Sequence, residues 1–305
     1  MPVGMRDRIS GVVRYVLRHD AETGRAEAFA VRWGTFSIPA VLLLLLGFGV
    51  PITYMVANSF FRHAGHGRTK PPANIDNYLN FVSDPFYLGI LLDTFLLGFI
   101  VVTVCTALGY PVAYFLARTR SRWHGILVFL VVAPLLVSAV IRNLGWVPIL
   151  GSNGAINWIL LSLGLVNRPV ALSNNFVGVV IGTSHALLPF MILMLMTVIQ
   201  RIHIEVEEAA VNLGATSWQK FRYVILPLST PGLLGGYLIV FTITISSYTT
   251  PAMLGGNRVI VMSTFIAQQV RFVHNYAFGA TCAVILMVVA IVLTMVSVSR
   301  SERRA

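Results

Sequence analysis

The sequence predicts an all-α integral membrane protein of six transmembrane helices with both termini cytoplasmic, and three observations predict it. Hydrophobic residues make up 56% of the 305 and charged residues only 11%, with a mean hydropathy of +0.79. A soluble domain has about a quarter of its residues charged, so this chain reads as a membrane protein. Six apolar runs are long enough to cross the ~30 Å of hydrocarbon that takes ~20 helical residues, and lipid offers exposed backbone groups no partners. They cover 36–58, 88–116, 125–145, 176–199, 232–254 and 277–298, and none has the alternating period of a membrane barrel. With the N-terminus inside, 15 of the 22 Lys and Arg fall on inner segments, including RTRSR after the second run and SRSERR after the sixth.

Each segment follows in order. Residues 1–35 form a cytoplasmic N-terminal segment, where Tyr15, Val16 and Leu17 among arginines fit either an interfacial helix or a solvated tail. It has no apolar core and cleavage site of a signal peptide, so the 36–58 run is expected to stay as a helix. Residues 59–87 are an outer loop, and a domain boundary after the first span leaves a block from 88 to 298 holding five spans. The outer loops 146–175 and 255–276 are polar surface, with turn signals such as GSNG and VNRP, and 299–305 is a cytoplasmic tail. Cys105 and Cys282 lie within apolar runs and read as small buried residues rather than a disulfide or metal pair. The net charge of +11 comes from arginines flanking apolar helices, not from a basic soluble face, which argues against nucleic-acid binding.

The inner loop 200–231 is the most informative segment. Its stretch EVEEAAVNLGAT places three glutamates, Glu205, Glu207 and Glu208, in a chain with 11 acidic residues. Val206, Ala209, Ala210 and Leu213 fall at i, i+3, i+4 and i+7 as a small apolar stripe, with Glu205, Glu208 and Asn212 off it. The spacing predicts a short amphipathic helix whose acidic first turns suit the positive end of its dipole, by about 0.3–1 kcal/mol each. Gly214 stands where a left-handed stop is expected. Thr216 or Ser217 then caps a second short helix, WQKFRYVIL, with Trp218, Phe221, Val224 and Ile225 as its apolar face; Leu226-Pro227 and Pro231-Gly232 end it. A hairpin resting on anionic lipid would carry Lys and Arg on its polar face. The first helix carries only glutamates, so the loop is expected to meet a basic protein partner.

The order Glu208-Ala209-Ala210, three residues, Gly214, nine residues, then Val224-Ile225-Leu226-Pro227 resembles the EAA motif of permease subunits of type I ABC importers. That motif usually has Ile where this chain has Val224. GYPVAYFLARTR, LPFMIL, LPLSTPGL and TPAMLGG resemble the spermidine/putrescine branch of the family, and the likeness covers about 88 to 298. The resemblance implies the type I ABC importer permease fold in a bacterial inner membrane. It implies a coupling role for Glu208, Ala209, Ala210, Gly214, Ala215, Leu226 and Pro227 against a cytoplasmic ATP-binding subunit dimer, with Glu205 and Glu207 only supporting the helix start. A second related permease subunit and a periplasmic solute-binding protein complete the assembly it implies. The chain has no G-x-x-x-x-G-K-[ST] segment and no H-E-x-x-H, so no catalytic or metal residue is assigned; ATP and Mg are expected on the partner ATPase.

Substrate signals are mixed. Asp93 is the one acidic residue inside a predicted span and is a pathway candidate, although it stands close enough to the outer end to reach the interface. Tyr248, Thr249 and Thr250 before Pro251 are candidates because proline frees backbone groups that need polar surroundings, with helix packing as the alternative. His185, near Pro189, is either a pore residue or a hydrogen bond to a neighbouring helix, and Arg142 and Trp146 read as interface anchors. Carboxylates and aromatic faces would suit a polyamine. The outer side, counting Arg142 at the end of the third run with the loops, nonetheless carries seven basic residues against Asp76 and Asp84. Another small solute (an amine, an amino-acid derivative or an anion) and an ion-coupled secondary transporter are the alternatives.

Overall fold

The computed structural model describes residues 38–65, 68–71, 73–256 and 258–302, so the N-terminal segment expected over 1–35 lies outside them. The chain divides into two units at Ala57 and Asn58. Of the first, the described part is helix α1, Ile38–Ser59, whose last two residues enter the second unit. Its most apolar stretch is exposed throughout, as suits a helix that meets lipid, and only its polar end, Asn58 and Ser59, is buried.

The second unit opens on a two-stranded hairpin, β1 (Arg62–His63) and β2 (Thr69–Lys70), antiparallel with Arg62 opposite Lys70. Helix α2, Asp76–Ser83, follows and is tied back to it by an Arg62–Asp76 ion pair of 2.6 Å. Asp84 then caps α3, Pro85–Arg118, accepting from the Phe86 N–H at 2.9 Å, with Pro85 in the first helical position where its missing donor costs nothing. Both outer carboxylates counted in the sequence are therefore in structural use.

Two expected continuous spans are broken. In place of one helix over 125–145 there are α4, His124–Leu136, and α5, Ala139–Leu150, separated at Val137 and Ser138. The break frees the Pro134 carbonyl, and Arg142 reaches back to donate to it at 2.9 Å. In place of 232–254 there are α11, Thr230–Ser246, and α12, Thr249–Leu254. Pro251 has no N–H to give the Ser247 carbonyl, and the Ser263 hydroxyl donates to it instead at 2.6 Å.

The remaining elements are α6 (Ala155–Ser162), α7 (Phe176–Arg201), the loop helices α8 (Ile204–Asn212), α9 (Ser217–Lys220), a π turn (Phe221–Ile225) and α10 (Leu226–Leu228), then α13 (Met262–Arg271) and α14 (Tyr276–Glu302). Among the described residues five helices are long and apolar enough to cross a membrane, and six if the pair Ser217–Leu228 and Thr230–Ser246, bent by 67°, counts as one.

The main core lies where α3, α7 and α11 meet, around Leu97, Val101, Cys105, Met191, Leu195 and Val240. Gly98 permits the approach of α3 to α11: a Cβ there would sit 2.7 Å from the Phe241 ring. A second cluster, Phe81, Ile90, Phe265, Phe278 and Cys282, joins α2, α3, α13 and α14 around Tyr87. The two cysteines are thus buried in different clusters, each free.

Candidate functional site

The site is the loop after α7. Locally it folds as its spacing predicts. Helix α8 ends at Gly214, whose φ of +84° is the left-handed region open to glycine, with Ala215 N–H returning to the Ala210 carbonyl at 3.0 Å and Gly214 N–H to Val211 at 2.9 Å. Thr216 caps α9 in a reciprocal pair: its hydroxyl accepts from Gln219 N–H at 3.3 Å, and Gln219 Oε1 accepts from Thr216 N–H at 2.8 Å. In the second helix Ile225 is buried and Phe221 and Val224 are half-buried, whereas Trp218 points out. The π turn widens the ladder just before Pro227, which has no N–H to continue it.

The faces of α8 differ from the expected ones. Its only buried residue is Glu207, and the apolar stripe faces away from the chain: Val206 is 43% exposed and Leu213 is 89% exposed. Glu205, Glu208 and Ala209 are exposed with them, Ala210 and Ala215 are half-buried, and at the far end Leu226 is half-buried and Pro227 exposed. A helix held by an apolar stripe would turn Val206 and Leu213 inward. Here a carboxylate does the holding.

Glu207 is 2% exposed and every oxygen lone pair it needs to fill has a donor nearby. The Tyr114 hydroxyl donates to Oε2 at 2.7 Å, Arg118 Nε donates to Oε1 at 2.8 Å with NH2 2.6 Å from the same oxygen, and Lys220 Nζ lies 3.4 Å from Oε2. Arg118 NH2 also donates to the Ile202 carbonyl at 3.1 Å, just beyond the end of α7. Burial pushes the Glu207 carboxyl up, but hydrogen bonds from Tyr114 and Arg118, the Arg118 charge and Lys220 outweigh it and hold the group below the ordinary carboxylate value. It stays ionised, and its pairing removes the penalty a lone buried charge would carry.

Tyr110, Tyr114 and Arg118 recur every four residues and so share one face of α3. Tyr110 takes the other end of the loop. Its hydroxyl lies 2.6 Å from that of Ser229, which is also 3.1 Å from the Leu226 carbonyl. Phe221 meets the Tyr110 ring edge-on at 5.1 Å. The stripe was legible in GYPVAYFLAR as three polar heads at one spacing on an apolar helix. Its partner Glu207 was not, because both ends of that contact sit in different segments.

The pathway candidates are not gathered in one place. Tyr248 lines a cavity of about 400 Å³ with Thr264, Gln268 and Phe272, and the Arg271 guanidinium carbon lies 5.6 Å from its ring centroid. Thr249 is half-buried, Pro251 is buried, and Thr250 is buried and accepts from Asn143 Nδ2 at 3.2 Å, which locks α12 to α5. Asp93 is exposed and lines a different cavity of about 290 Å³ with Asn175 and Arg258. His185 accepts from the Trp146 indole N–H at 3.3 Å, with the rings edge-on at 5.4 Å, a hydrogen bond from α7 to the neighbouring α5.

Residues 81–305 match the family of binding-protein-dependent transport system inner membrane components. The chain belongs to that family. It is an inner-membrane permease component of the ABC importer class, with the type I importer fold. It is 31% identical over 247 residues to the spermidine/putrescine transport system permease protein PotB of Haemophilus influenzae, covering 81% of this chain and 86% of that protein. PotB of Escherichia coli K12 is 30% identical over 246 residues, covering 81% and 89%. A chain of a bacterial alginate ABC transporter, solved in complex with an alginate pentasaccharide-bound periplasmic protein, superposes with a TM-score of 0.73 at 18% identity over 89% of this chain and 94% of that one. A chain of the inward-facing MetNI methionine ABC transporter does so with 0.55 at 17% identity over 72% and 95%. At those identities the structural likeness speaks for the fold.

Proposed function

We propose that this permease imports a polyamine of the putrescine/spermidine kind, and that a separate ATPase drives it through the 200–231 loop. It spans the membrane six times with both termini inside, so that this loop is cytoplasmic and the 59–87 loop periplasmic. ATP and Mg bind on the ATP-binding subunit dimer, a second related permease completes the pore, a periplasmic solute-binding protein delivers the solute, and lipid covers the remaining apolar face. The observation that carries the coupling role is the two-sidedness of α8. One residue, Glu207, fixes it to the chain, while Glu208, Ala209, Val206 and Leu213 stand free on the outside. That outer face is acidic, small and apolar, which fits a basic groove on a protein. Gly214, Ala215, Leu226 and Pro227 set its angle.

Replacing Glu208 with Lys is expected to abolish co-purification of the ATPase and solute uptake together. Uptake that persists with the ATPase gene deleted would overturn the importer reading. The polyamine assignment is supported by the named relatives, and purified solute-binding partner that ignores putrescine and spermidine would remove it. A permease for a different small solute is the second reading. It is favoured by Arg271, whose guanidinium occupies the Tyr248 ring face that a polyamine would use, and by Asp76 and Asp84, both already engaged.

A further inference from the structure

Resting on the permease reading above, we infer that Glu207, Tyr114, Arg118 and Lys220 form the joint through which α8 moves α3, so that these residues set how much solute moves per ATP rather than whether the ATPase binds. Three observations carry it. The contact is directional: both oxygens of Glu207 are held, by a planar guanidinium, a phenol and an ammonium drawn from α3 and α9. Charge-assisted bonds of this kind fix rotation as well as distance, whereas apolar packing lets a helix slide. The joint is also separate from the docking face. Glu207 and Glu208 are neighbours about 100° apart around a helix of 3.6 residues per turn, so one points into the bundle and the other out of it. Any rotation of α8 on a partner therefore pulls on Arg118, and through it on the end of α7 at Ile202.

The third observation is a second attachment on the same stripe. Tyr110 holds Ser229 at the point where the loop turns into α11. Between the two attachments lies a cavity of about 400 Å³ lined by Tyr110, Pro111, Tyr114, Phe221 and Leu226. It borders the π turn on one side and the proline of α3 on the other, two places where a helical ladder already lacks regular bonds. The loop is pinned at its two ends, and between them lies only a groove open to the surface, so a displacement of α8 reaches α3 through the two attachments.

The test is the complete importer in proteoliposomes, with its ATPase, partner permease and binding protein, comparing wild type with Glu207→Gln, which keeps the size and removes the charge. The variant is expected to retain the ATPase in pull-down and to go on hydrolysing ATP, while the ATP spent per solute rises about five-fold or more, the range of a typical coupling energy. Tyr114→Phe, which removes one hydroxyl, should shift the ratio the same way by less, and it decides the matter if Glu207→Gln fails to fold. Glu207→Gln with Arg118→Gln should be no worse than either alone, as for two residues acting as one unit. An unchanged ratio, or hydrolysis and transport falling in proportion, would overturn the inference and leave the network a static support. Wild-type protein that does not retain the ATPase would sink the coupling role proposed for the loop, which separates the two failures.

Discussion

Helices α8 and α11 both attach to α3, and they do so by opposite means. Helix α11 fits Phe241 and Ile245 over Gly98 and buries Val240, with shape alone deciding the contact. Helix α8 buries one carboxylate against an arginine and a tyrosine. Inside a bilayer apolar side chains gain little by leaving lipid, so close packing through small residues is what holds helices together. At the loop, water competes, and a fully satisfied ion network gives a single orientation at the cost of tolerating no missing member. The bundle is built for cohesion and the loop for direction.

That contrast can be broken or sharpened by substitution. Met191→Ala removes a side chain buried between α3, α7 and α11; thermal unfolding in detergent should show a loss of about 2–5 kcal/mol, with the ATP-per-solute ratio of the surviving complex unmoved. Gly98→Val drives two methyls into Phe241 and should cost about 1–3 kcal/mol in the same measurement. A changed coupling ratio in either would erase the distinction between cohesion and direction. Ser263→Ala takes the donor from the Ser247 carbonyl and should cost about 1 kcal/mol, showing first as faster hydrogen exchange in α12. The smallest effect is that of pH. Because the native carboxyl of Glu207 lies below its unfolded value, its contribution is complete above about 4.3 and is lost as pH falls through the lower native value. Coupling measured between pH 6 and 8 should therefore be flat as far as Glu207 is concerned. A fall in that window traced to Glu207 by its absence in Glu207→Gln would contradict the pairing.

The legible parts of the site are the local ones. Gly214 as a stop and Thr216 as a cap depend on residues within one turn, and both take the conformation their side chains favour. The role of Glu207 did not follow, because its partners Tyr114 and Arg118 lie 93 and 89 residues earlier, and periodicity on α8 alone marks Val206 and Leu213 as the inward face. The pathway candidates were chosen for polarity and proline, and polarity does not tell a residue that lines a cavity, Tyr248, from one that bonds across helices, Thr250.

By itself the sequence determined that this chain is helical and lives in lipid, since apolar runs of that length leave the backbone no other way to satisfy its hydrogen bonds. It determined where the loop helices start and stop. Only the tertiary structure decided where the spans break, because a gap at Val137–Ser138 or Ser247–Tyr248 is tolerable only when Arg142 or Ser263 arrives from elsewhere to meet the freed carbonyl. It also decided which glutamate faces inward, since a carboxylate can be buried only where the fold has already placed its cations.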